Sequence, residues 1–176
     1  MPNPNAHEKE YQRKDPFLFV HRLGFGRFSI AGKYSPAAVR DQVNRGAAIV
    51  ERAWAAGVLT PDSKLLIKGC GAAGVTAAMT AAKLGVQSIT LARRGLFFAR
   101  QRFSLRMIDP VEYDWPATGW DTGETVSSRV HLPYRRGRAR EIVATRWDPA
   151  WRDLLKSPAG KGIEVLEAGT VDEASS

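Results

Sequence analysis

Three glycines, Gly69, Gly71 and Gly74, stand at G-x-G-x-x-G spacing around Cys70, Ala72 and Ala73. The chemistry open to such a loop is anion binding. The first amides of a helix have no internal partners, and the helix dipole adds positive potential where they point. In a dinucleotide site Gly69 would turn the strand sharply, and Gly71 would remove a β-carbon that otherwise blocks the phosphates. Gly74 would then let the helix pack tightly on the sheet. Ala78, one turn further on, keeps the same helix face small. The plain alternative is a glycine turn kept only for close packing. About 20 residues on, where an acid would accept from the adenosine ribose hydroxyls, Arg93 and Arg94 stand instead. Arginine accepts no hydrogen bond. It does clamp a 2′-phosphate, so the pattern permits NADP recognition. The alternative for both arginines is the surface end of a strand.

Other reactive side chains are scattered. Cys70 lies near a helix amino terminus, a place that lowers a thiol pKa, or else it is a small residue tolerated in a tight turn. Asp109, Glu112, Tyr113 and Asp114 cluster with Trp115 and Trp120. They form either a polar substrate edge or a capped turn with aromatic packing. No base is paired with a nucleophile, so the catalytic residues are unassigned. Residues 134–140, YRRGRAR, are a basic run that fits a solvated loop or a phosphate contact. His7, His21 and His131 have no metal-site spacing, and one cysteine makes neither a disulfide nor a zinc cluster.

The elements that must position the glycine loop are readable on both sides of it. Residues 64–68 predict a strand with Leu65, Leu66 and Ile67 as its core. A helix is expected from about Ala73 to Leu84, ended by Gly85, then a second strand over 88–92. Strand, turn, helix and strand fill about 30 residues, the size of a βαβ unit with a right-handed crossover. Upstream, Ser35-Pro36 reads as a helix cap and first turn. Val39, Val43, Ala47, Val50 and Trp54 then recur at helical spacing until Gly57, and this face is expected to pack on a sheet. Residues 17–20 predict a short strand or docking segment. Asp148-Pro149 repeats the helix-start signal, and residues 163–166 predict a third strand. Lys68 is out of place for a strand buried on both faces.

Charge and composition bound the rest. Lysine and arginine number 26 against 18 acids, for a net charge of +8, so an anionic partner is expected. Hydrophobic residues at 44% suit a globular domain, and 176 residues suit one domain. No apolar run approaches the roughly 20 residues that span a bilayer. Residues 1–14 are polar and lack the apolar segment of a signal peptide, so no membrane partner and a cytoplasmic location are expected. The division expected is an arm over 1–34, a nucleotide-binding domain over 35–171 and a tail over 172–176.

Residues 65–94, LLIKGCGAAGVTAAMTAAKLGVQSITLARR, resemble the amino-terminal segment of FAD/NAD(P)-binding flavoprotein oxidoreductases with two dinucleotide-binding domains. Residues 106–116, RMIDPVEYDWP, followed by Trp120, resemble a bacterial subset of that family. The resemblance runs from the Ser35 helix to about Thr170. It implies FAD as first cofactor, with Gly69, Gly71 and Gly74 at its pyrophosphate. Position 93, usually acidic in such proteins, is arginine here. The family's nucleotide domain continues past a third strand, whereas this chain stops at Ser176, so a truncated relative is expected. A partner chain or a second copy would then complete the sheet.

The resulting expectation is an α/β protein with a partial Rossmann-like parallel sheet, strand order 3-2-1, helices on both faces and a loop-rich Arg/Trp excursion over 93–140. Its function would be binding FAD, or NADP as second choice, in a flavin-dependent oxidoreductase. Two further readings stand beside it: a non-catalytic nucleotide-binding or assembly subunit, and a basic nucleic-acid-binding protein.

Overall fold

The computed structural model describes residues 15–30, 38–108, 132 and 136–167. Within these the protein is mixed α/β, built on a three-stranded parallel sheet with helices packed against it. The expected cluster from Asp109 to Trp120, with Tyr134 and Arg135 of the basic run, lies outside the described residues. So does the tail 172–176.

The chain enters through α1 (Pro16–His21) and a small antiparallel hairpin, β1 (Arg22–Gly24) and β2 (Arg27–Phe28). Residues 17–20 are therefore helix, not strand. Asp15 decides this by capping the amides of Phe17 and Leu18 at 3.0 and 3.2 Å, with Pro16 already set for a helical turn. Leu18 is buried in the core and Asp15 pairs with Arg52 at 3.0 Å. Thus residues 15–30 are fixed to the helix that follows.

That helix, α2 (Val39–Ala55), starts after Ala38, whose amide donates to the Asp41 carboxylate at 3.2 Å. Residues 35–37, where the sequence places the cap, are not among those described. Gly57 closes the run with φ of 70°. Val43, Ala47 and Val50 are buried as the periodicity requires. Their main partner, however, is a helix and not the sheet. A β-carbon on Gly46 would overlap the Ala73 carbonyl oxygen, so the two helices approach backbone to backbone.

The sheet order is β3 (Lys64–Lys68), β4 (Ser88–Arg93), β7 (Ile163–Glu167), all parallel. This is the expected 3-2-1 order read from the other edge. Helix α3 (Ala72–Leu84) joins β3 to β4, and Gly85 caps it at φ of 96°. Ladder partners share a face. Leu65, Ile89 and Ile163 form one inward row, and Ile67, Leu91 and Val165 the next. The other face carries Leu66 (56% exposed), Lys64, Lys68, Ser88 and Glu164 in the open. On that face Thr90 and Leu166 are half-buried and Ala92 is buried, so among the described residues it is exposed along β3 and increasingly covered toward the carboxyl ends of β4 and β7. Lys68 is accommodated by this: it points to solvent, and Leu66 is not part of the core.

Between β4 and β7 lie α4 (Ala99–Arg102) and the short ladder of β5 (Met107–Ile108) with β6 (Gly137–Arg138). A continuous helical stretch follows: α5 (Ala139–Ile142), a π-turn (Val143–Trp147) and α6 (Asp148–Lys156). Asp148-Pro149 do open α6, with the proline in its first turn, but Asp148 is not the cap. Asp148 is itself helical (φ −60°, ψ −46°), and its carboxylate instead takes a 2.7 Å ion pair from Arg102. Pro149 lacks an amide, and the widened turn falls just before it, where a proline disturbs the regular ladder.

Candidate functional site

The glycine loop is assembled at the carboxyl edge of the sheet. After Lys68, Gly69 takes φ of 109°, a conformation side chains avoid, and its amide donates to the Ala92 carbonyl at 2.8 Å. That bond carries the β3–β4 pairing one residue past the strand and aims the chain toward α3. Cys70 turns inward. Its carbonyl accepts from Phe98 at 3.0 Å, and its thiol faces the Leu96 carbonyl at 3.5 Å.

Gly71 is the cap residue of α3, extended at φ −75° and ψ −177°, with no side chain bonded to the helix's first amides. Ala72, Ala73 and Gly74 form that first turn, and the first bond back to the loop is Val75 to the Gly71 carbonyl at 3.0 Å. Gly69 and Gly71 are both exposed, and a β-carbon built on either meets nothing within 4 Å. Gly74 is the reverse case: a β-carbon there would overlap the Gly69 carbonyl oxygen and sit 3.5 Å from Ile67. The three glycines therefore do separate jobs: Gly69 bends, Gly71 leaves space, and Gly74 allows contact.

The second side of the loop is residues 94–98. Gly95 adopts φ of 122°, and Phe98, fully buried, adopts the left-handed value of 55°. A phenylalanine holds that conformation only when its surroundings over-determine it. Here the ring packs on Trp147 (centroids 5.3 Å apart) and the amide is tied to Cys70.

The two arginines part ways. Arg94 is exposed. Arg93 is bound to the Glu167 carboxylate, donates to the Gly95 carbonyl at 3.2 Å and lies over the Phe97 ring at 5.5 Å. Its Nε is buried without a partner. Phe97 in turn packs on Trp151, whose Nε1 is likewise buried and unpaired. Neither Glu167 nor this aromatic pair is marked out by the sequence. The signal was the parallel register, which sets Arg93 directly beside Glu167.

Burial pushes the Cys70 thiol up from its ordinary value, and the opposing pull of its backbone hydrogen bonds and of Arg93 does not offset this. The helix-terminus expectation of a lowered thiol is thus reversed. Arg136, Arg138 and Arg140 of the basic run are exposed, with Arg138 near Glu141 at 4.0 Å. Among the described residues there is no cluster of three or more potential metal ligands, and no helix is long and apolar enough to cross a membrane. An open groove of about 370 Å³, lined by Val86, Gln87, Pro158 and Lys161 among others, lies at the amino edge of the sheet, the end opposite the glycine loop. Set against models of known families, curated proteins and solved structures, the chain matches none of them.

Proposed function

We propose that the protein binds a dinucleotide at the loop 69–74, with FAD as the first cofactor and NADP as the second. The sheet on this reading is the first half of a Rossmann-like domain. The observation that carries the reading is the uncapped start of α3 facing open space at Gly71. An open helix amino terminus at the carboxyl edge of a parallel sheet is where a diphosphate gains both amide donors and dipole potential. Gly69, Gly71 and the amides of Ala72, Ala73 and Gly74 would hold the diphosphate, with Cys70 shaping the loop from inside. Bound flavin would supply the redox chemistry, a hydride transfer with nicotinamide or substrate. The chain's own residues would bind and orient it.

Titration of the purified chain with FAD, NADPH and NADH, following flavin absorbance and fluorescence, tests this. Saturable FAD binding, or yellow protein on purification, supports it. Absence of binding by all three overturns it.

A second reading, a nucleotide-binding subunit completed by another strand, is favoured by the outer edge of β3, which pairs only with β4 among the described residues. Size measurement of the chain with and without FAD distinguishes the two: a monomer with FAD bound speaks for the first.

A further inference from the structure

We infer that a second anionic ligand, single-stranded nucleic acid, binds along the surface formed by the end of α4, β5, β6 and the start of α5. This goes beyond the dinucleotide reading and does not depend on it.

Backbone bonds make that surface one piece. Met107 pairs with Arg138 across the ladder. The Arg106 carbonyl accepts from the Ala139 amide at 2.9 Å, and the Ser104 carbonyl accepts from the Arg140 amide at 3.1 Å. Ile108 is buried on the inner side of the ladder, so Met107 and Arg138 are directed outward together. Phe103, Leu105 and Met107 are 73%, 60% and 55% exposed. Beside them Arg100, Arg106, Arg138 and Arg140 are exposed as well. Arg138 has Glu141 at 4.0 Å, whereas Arg100, Arg106 and Arg140 meet no acid among the described residues. Arg102, in the same stretch, is drawn inward by Asp148 and the Phe97 carbonyl.

Exposed charge alone fits a solvated face, and exposed apolar side chains alone name no partner. Together they require a polyanion that carries apolar faces of its own. A single strand has both: phosphates for the guanidinium groups, and unstacked bases for an aromatic ring. Arginine is the only cationic residue type over residues 84–155 apart from His131, and its planar fork both grips phosphate and stacks on flat rings. Phe103 is the stacking surface, since Trp147 is wholly buried against Phe98. A duplex hides its base faces and would leave Phe103, Leu105 and Met107 uncovered. An anionic bilayer would meet the same charges, but these three residues lie outside any helix, and an interfacial segment is held by the apolar face of one.

Fluorescence anisotropy of labelled oligo-dT and oligo-U of about 12 nucleotides, over a salt series, tests this. Wild type should bind both, because phosphates and base faces are common to them. Affinity should fall by about three decades per tenfold rise in salt, the slope for four phosphates neutralised on a single strand. Arg106→Gln combined with Arg140→Gln should bring that slope to about half. Phe103→Ala should lose about tenfold in affinity with the slope unchanged, and Phe103→Trp should keep the affinity. Phe103 is mostly exposed, so the melting temperature of Phe103→Ala should match wild type. FAD titration of these variants should also match wild type, so the oligonucleotide and dinucleotide readings stand or fall separately. The inference is overturned by wild type that binds neither strand, by a duplex of equal length bound as tightly as the single strand, or by affinity indifferent to Phe103→Ala. Binding to phosphatidylserine vesicles without binding to either oligonucleotide overturns it in favour of a membrane surface.

Discussion

Gly74 lies against the Gly69 carbonyl with no room for a methyl group, whereas Gly71 looks onto open space. The two therefore give opposite mutational signatures. Gly74→Ala should destabilise the fold by roughly 1–3 kcal/mol, the usual cost of forcing a methyl into a close contact, visible as a lower melting temperature. Gly71→Val should leave the melting temperature near wild type, since φ at 71 is ordinary for any residue. Cys70 makes a separate prediction. Burial raises its thiol pKa in the folded protein, so the neutral form is favoured by folding. That contribution is complete below the ordinary thiol value and is lost as pH rises through the folded value. Melting temperature should thus fall more steeply above about pH 8.5 in wild type than in Cys70→Ala, and alkylation by iodoacetamide at neutral pH should be slow. A rapid reaction would contradict the buried placement.

Helix α3 has α2 packed backbone to backbone at Gly46 and Ala73, while its other side lies on the sheet. Gly46→Val should separate the pair and cost stability on the same scale as Gly74→Ala, with thermal unfolding as the readout. Arg102→Ala should cost about 1–2 kcal/mol, between the exposed and buried limits for ion pairs, because it strands the Asp148 carboxylate at 11% exposure.

The three strands of the parallel sheet, the glycine turn and α3 were legible in the sequence because their signals are local: short apolar runs, with glycines at 69 and 85 marking where α3 is entered and left. The buried face of α2 was equally legible, but its partner was not, since periodicity names a face and not what covers it. Asp148-Pro149 marks the start of α6, but that the carboxylate pairs with Arg102, 46 residues away, instead of capping the helix is beyond any local signal. Residues 17–20 read as a short strand or docking segment until Asp15 is seen to cap them as a helix. Glu167 was illegible for a topological reason. Its pairing with Arg93 exists only once a crossover of some 70 residues has brought β7 beside β4.

For the molecule as a whole, a net charge of +8 favours any anionic ligand, so charge alone does not choose among dinucleotide, RNA and DNA. Salt does. Contacts to a nucleic acid release counterions, and affinity falls by orders of magnitude over a few-fold rise in salt. A dinucleotide held by backbone amides should weaken only several-fold across the same range. The exposure of Leu66 and Lys68 on the outer face of β3 among the described residues departs from the usual covering of parallel strands. It is the physical basis for keeping an assembly reading beside the enzymatic one.

The measurement that bears most directly on the account is FAD titration of wild type against Gly71→Val, with melting curves of both run alongside. Wild type should bind and Gly71→Val should lose at least about tenfold in affinity, because a side chain would fill the space at the helix start, while both unfold at the same temperature. Equal FAD affinity in two equally stable proteins would place the diphosphate elsewhere and contradict the account.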